Sequence, residues 1–158
     1  MTIIRELGVD DTAAFVELRR LSLRTDPESF AANPETDAGS NMELARERFR
    51  QATAIEGPFV VGAFEDTLIG IGGLRRTGPA AAAVWGFYVK PDCRGRGVAR
   101  LLIDRLIEIA RRMPEVVRLE LGVSGTSAAA MRVYERAGFR MTGRRTAECA
   151  HVMELELT

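Results

Sequence analysis

The stretch from Ala83 to Val123 narrows the fold more than any other. "AVWGFYV" (Ala83–Val89) is an almost wholly apolar run, which reads as a central strand covered on both faces. Val98, Leu101, Leu102, Leu106 and Ile109 then form one apolar stripe on a helix that stops before Pro114. "VVRLELGV" (Val116–Val123) is a strand again. A strand, a helix and a second strand in one sheet place the two strands parallel, joined by a right-handed crossover.

The same reading extends both ways. "TIIREL" (Thr2–Leu7) is a short strand, Asp10 or Asp11 caps a helix, and Ala14, Phe15, Leu18 and Leu21 recur at helical spacing. Thr25–Ser40 is a polar loop rich in turn formers. Ser40 and Glu43 make a capping-box pattern that opens a second helix near 41–53. "PFVVGAF" (Pro58–Phe64) and "LIGIGGLRR" (Leu68–Arg76), parted by Glu65, Asp66 and Thr67, read as a hairpin. Ser127–Ala137 is a helix ended by Gly138, and "FRMTGRR" and "CAHVMELEL" make a terminal strand pair. The expected order is β-α-α-β-β-β-α-β-α-β-β, without an internal repeat. At 158 residues this is one α/β (α+β) domain spanning 1–158, with a mixed sheet of about seven strands and about four helices.

Charge and cysteine content exclude several classes. The 22 basic residues balance 22 acidic ones, which argues against a nucleic-acid-coating protein. Lys90 is the only lysine; the remaining basic residues are arginines, as suits a chain from a G+C-rich genome. Cys93, Cys149 and His151 have no zinc-site spacing, so no metal is expected. A reducing cytoplasm fits two cysteines without a CxxC pattern, and "MTIIRELGVDD" does not read as a signal peptide. No run approaches the ~18 apolar residues of a membrane span.

The chemistry concentrates in "RGRGVA" (Arg94–Ala99), at the junction of the buried strand and the helix. A helix start offers unpaired N–H groups and a partial positive charge. Glycines let backbone approach a ligand closely, and arginines add forked donors for phosphate oxygens. Together these make a pyrophosphate cradle. Neither G-x-G-x-x-G nor a GKS/GKT loop is present.

This segment resembles motif A of the GCN5-related N-acetyltransferase (GNAT) superfamily, R/Q-x-x-G-x-G/A, as does the preceding "YVKPDC" with its Val-x-Pro. "SAAAMRVYERAGF" (Ser127–Phe139) is similar to that family's N-x-x-A-x-x-x-Y-x-x-x-G-F. The element order agrees along nearly the whole chain. The resemblance implies acetyl-CoA as cosubstrate, with Phe87, Tyr88 and Val89 on the pantetheine and thioester. It assigns Arg94, Gly95, Arg96, Gly97, Val98 and Ala99 to the pyrophosphate, with help from Arg100. Ser127 stands where the family often has Asn; a hydroxyl can still cap the helix and touch pantetheine.

Tyr134 aligns with the family's tyrosine near the sulfur. A phenol there can protonate a departing thiolate; otherwise it is a core tyrosine on an amphipathic helix. Glu120 is the candidate general base, set against the plain reading of a carboxylate on an exposed strand face. His151 and Cys93 read as packing or surface residues rather than as base or nucleophile. Trp85 reads as core, at the acceptor end of the cleft. The loop Thr25–Ser40, with Phe30 among Asp26, Glu28, Glu35 and Asp37, is either a wall that favours a cationic amine or an ordinary solvated loop. The expected activity is acetyl transfer to a primary amine, on a small molecule or a protein N-terminus, by direct attack. The rival readings are a non-catalytic acyl-CoA sensor of the same fold and a nucleic-acid module using the arginines of "RGRG". Neither a nucleic acid nor a membrane is expected as partner, and the resemblance makes a homodimer plausible.

Overall fold

The computed structural model describes residues 1–25, 40–124, 128–146 and 150–157. The strands are β1 (Ile3–Glu6), β2 (Phe59–Glu65), β3 (Thr67–Arg76), β4 (Ala81–Val89), β5 (Arg118–Val123), β6 (Arg140–Arg145) and β7 (His151–Glu156). The helices are α1 (Thr12–Thr25), α2 (Met42–Gln51), α3 (Val98–Arg112) and α4 (Ala128–Arg136). The expected order is the observed one.

All seven strands form one sheet, in the order β1-β2-β3-β4-β5-β7-β6. β4 and β5 run parallel, as the strand–helix–strand unit requires, and every other neighbouring pair is antiparallel. The last two strands do not simply add to the edge in chain order. β7, with Val152 and Met153 buried, takes the slot beside β5 and leaves β6 outside. "RMTGRR" has little to bury, so its exposure at the edge costs little.

Pleating sorts the side chains into two layers. Val60 and Val61 are adjacent in β2 yet join different clusters. Val61, Leu74 and Leu119 pack with Leu102, Leu106 and Ala110 of α3. Val60, Ile71 and Tyr88 pack with Phe15, Val16 and Leu18 of α1 and Ala45 of α2. Gly73 is required by close approach, since a Cβ there would overlap the Trp85 indole.

Local details differ from expectation in several places. Asn41, not Ser40, caps α2, its side chain accepting the Leu44 N–H at 3.1 Å. Leu101 lies outside the apolar stripe, 45% exposed, and Ile103, Ile107 and Ala110 complete the buried face. β4 starts two residues early, because Ala81 and Ala82 pair with Arg118 and Leu119. A 3-10 turn (Val9–Asp11) precedes α1, and Asp11 takes the Gly8 N–H at 2.8 Å. Arg5 grips the same carboxylate at 2.8 and 3.0 Å and holds it below the usual carboxylate range. No helix among the described residues is long and apolar enough to cross a membrane.

Candidate active site

β4 and β5 are paired only at Ala81–Arg118, Ala82–Leu119 and Ala83–Glu120. Beyond that point they part. The cause sits on the other side of β4, where Ile71 of β3 opposes Tyr88 while Gly73 opposes Trp85. Gly72 therefore faces two residues, Gly86 and Phe87, and Gly86 takes φ +61. This β-bulge bends the strand and ends its pairing with β5. The result is a cleft of about 1150 Å³ whose β4 wall runs from Val84 to Val89. Leu121 to Ser124 form the opposite wall, and Val133 and Tyr134 of α4 cover it.

One end of the cleft closes on the "RGRGVA" loop. A 3-10 turn (Pro91–Cys93) leads into Gly95 at φ +79 and Gly97 at φ +83, and α3 opens at Val98. Only glycine adopts such angles readily. Gly97 is the N-cap, and no side chain among the described residues caps the helix. The first-turn N–H groups thus stand at the cleft with the positive end of the helix behind them. A Cβ at Gly95 or Gly97 would meet nothing within 4 Å, so the loop borders open space. Gly95, Gly97, Val98 and Ala99 all line the cleft.

The three arginines of this region divide their work. Arg94 lines the cleft, its Nε donating to the Val89 carbonyl at 2.8 Å and its guanidinium 5.5 Å from the Tyr88 ring centre. Tyr88 in turn shares a 2.7 Å hydrogen bond with Thr25 at the end of α1. Arg100 lines the cleft from the first turn of α3. Arg96 turns away: its Nη2 donates to Glu65 Oε1 at 2.7 Å, and Thr2 Oγ1 donates to Glu65 Oε2 at 2.6 Å. The Thr2 hydroxyl and the Arg96 guanidinium hold the Glu65 carboxyl below its ordinary range. Arg96 thus ties the loop to the β2–β3 turn.

Tyr134 is 6% exposed and lines the cleft. Its ring meets Phe87 edge-on at 5.6 Å and Phe139 at 6.0 Å. Its hydroxyl makes no hydrogen bond among the described residues. Burial pushes the phenol above its usual range, so it stays protonated at neutral pH.

Glu120 is not brought into this cleft. Leu119 and Leu121 point to the α3 layer, and Glu120 faces the other way. Its Oε1 accepts from Arg118 Nε at 3.2 Å and from Arg144 Nη2 at 3.3 Å. Arg144 also bonds Glu154, at 3.1 Å. His151 lies in β7 opposite Val123. Ser127 and the bulk of the Thr25–Ser40 loop lie outside the described residues. Sequence reasoning missed Arg136, which also lines the cleft, as does Thr25 at the start of the segment read as a candidate wall. Arg136 was legible, because Ala129, Val133 and Arg136 recur at helical spacing. Gly86, a glycine inside a strand pattern, was a bulge signal.

The family model described as Acetyltransferase (GNAT) family matches residues 16–139. The mycothiol acetyltransferase of Beutenbergia cavernae is 31% identical over 121 residues, or 74% of this chain. The chain spans only 39% of that protein's length. The N-alpha-acetyltransferase RimI of Mycobacterium tuberculosis is 34% identical over 113 residues, 72% of this chain and 66% of that protein. In overall fold the chain is similar to yncA, a putative acetyltransferase from Salmonella typhimurium solved with acetyl-CoA. The TM-score is 0.79 at 21% identity, over 100% of this chain and 95% of that one. A GCN5-related N-acetyltransferase from Kribbella flavida gives TM-score 0.79 at 24% identity, over 99% and 98% of the two chains. A sheet opened between its parallel strands, a glycine loop at the mouth of that opening and a match over most of the length have one common source: the chain belongs to the GNAT family of acetyltransferases.

Proposed function

We propose that the protein is an acetyl-CoA-dependent N-acetyltransferase that moves an acetyl group to a primary amine by direct attack. One observation carries the reading: the gap between β4 and β5 runs from an uncapped helix N-terminus, built for phosphate, to a protonated phenol. The fit to acetyl-CoA rests on the loop. Left-handed glycines facing open space admit a pyrophosphate, and Arg94 and Arg100 add forked donors. The unpaired edges of β4 and β5 offer backbone groups to an amide-bearing pantetheine arm.

Bound acetyl-CoA supplies an acyl thioester, whose carbon takes the amine and whose sulfur leaves. Tyr134 holds its proton for that sulfur; a leaving thiol protonated in place departs more easily than a bare thiolate. Phe87, Val84 and Leu121 exclude water and so protect the thioester from hydrolysis. The attacking nitrogen gives up its proton to water at the open mouth of the cleft, and water restores the Tyr134 proton, because Glu120 lies outside the cleft with Arg118 and Arg144.

Calorimetric titration with acetyl-CoA, CoA and ATP tests the donor site. Thiol release over a panel of amines then tests turnover. The relatives' names suggest where that panel starts: mycothiol-related amines and peptides with free N-termini. Micromolar acetyl-CoA binding without ATP binding, followed by thiol release, supports the reading. Binding without turnover over the whole panel returns the acyl-CoA sensor, and absence of binding refutes both.

A further inference from the structure

We propose that Trp85 sets the length of acyl chain the protein accepts, an inference that rests on the acyl-CoA reading of the cleft. Trp85 lines the main cleft and also a second cavity of about 20 Å³ beneath α1 and α2. Trp85 is the one described residue common to both linings, which sets it between them. Phe15, Ala45, Phe49, Pro58 and Val60 line the second cavity and are apolar; Arg48 is the one charged residue of the described lining. The wall stands at the narrow end of the gap. The last β4–β5 pair is Ala83–Glu120, and Trp85 is the next residue of β4 on that face, directly before the Gly86 bulge.

Packing fixes the indole from two sides. Phe15 meets it edge-on at 6.4 Å, and Phe49 supports Phe15 at 5.5 Å in the same geometry. On the other side it lies so close to Gly73 that no Cβ would fit there. The indole Nε1–H is buried and has no hydrogen-bond partner among the described residues. Substitution therefore breaks no polar contact among them and acts there through shape. An acetyl methyl fits in front of such a wall. A straight chain two carbons longer meets the ring, and with the ring removed it enters a cavity of matching chemistry.

The probes are acetyl-CoA and butanoyl-CoA, titrated calorimetrically into wild type, Trp85→Ala and Trp85→Leu. Burying one methylene tightens Kd about fourfold. In the variants, butanoyl-CoA should therefore gain roughly tenfold on acetyl-CoA, allowing for incomplete burial of its two extra methylenes. Wild type should bind butanoyl-CoA no tighter than acetyl-CoA. The ratio of two Kd values from one preparation does not depend on how much of the protein is folded, so a purely structural role for Trp85 leaves it unmoved. Trp85→Leu keeps an apolar side chain against Phe15 and serves where Trp85→Ala fails to fold. An unchanged ratio in a folded variant overturns the proposal, as does a wild type that prefers butanoyl-CoA tenfold. In either case acetyl-CoA binding by wild type leaves the donor-site reading standing. A wild type that binds no acyl-CoA overturns both.

Discussion

Replacing Tyr134 by Phe separates the chemistry of the cleft from its packing. The Phe ring can occupy the same place, so the edge-on contacts with Phe87 at 5.6 Å and Phe139 at 6.0 Å persist. The lost hydroxyl makes no hydrogen bond among the described residues, so folding stability should change by no more than about 0.5 kcal/mol. Affinity for acetyl-CoA should hold within about twofold, because the cradle lies at the other end of the cleft. Turnover should fall by about 10²–10⁴, the usual contribution of a positioned general acid. That corresponds to roughly 3–5 kcal/mol added to the barrier. The assay is thiol release at saturating donor and amine, with Kd from calorimetry and Tm from thermal unfolding on the same preparations. A kcat within about threefold of wild type would refute the reasoning and move the proton to water. A loss of Kd and kcat together would mean that the hydroxyl shapes the cleft.

Four further outcomes follow from the same geometry. Because the Tyr134 pKa is raised, the protonated phenol stabilises the fold fully below the unfolded value near pH ~10, and this contribution is lost as pH rises through the folded value; unfolding midpoints of wild type and Tyr134→Phe should therefore diverge only above that pH. Glu65→Gln releases Arg96 from the β2–β3 turn and should weaken acetyl-CoA binding about two- to fivefold with kcat unchanged; a fall in kcat at constant Kd would contradict the tie. Gly97→Glu places a carboxylate in the cradle at φ +83, and calorimetry should show acetyl-CoA binding abolished; wild-type affinity would sink the cradle. Gly73→Ala drives a methyl into the Trp85 ring and should cost about 1–3 kcal/mol, lowering Tm by roughly 3–10 °C.

Short-range features were legible in the chain. Apolar periodicity together with cap and turn signals located the described strands and α-helices, and glycines beside arginines at a helix start marked the phosphate loop. Errors at this level were local. Asn41 displaced Ser40 as cap, and Leu101 was counted into a stripe that the backbone phase turns outward. Side-chain destinations were less legible. "RGRG" offers two arginines of equal chemistry, yet only Arg94 faces the cleft, because Glu65 arrives beside Arg96 from 31 residues away. Glu120 looked suited to proton transfer, and Arg118, Arg144 and Glu154 surround it through strand pairings that no local pattern encodes.

By itself the sequence determined the elements, their order, the parallel pair and the glycine loop, because each follows from residues within a few turns of one another. Only the tertiary structure decided that β7 lies inside β6, that β4 breaks from β5 after Ala83, and that Trp85 lines two cavities. Those depend on which distant segments meet, and such meetings are settled by shape and burial across the whole sheet.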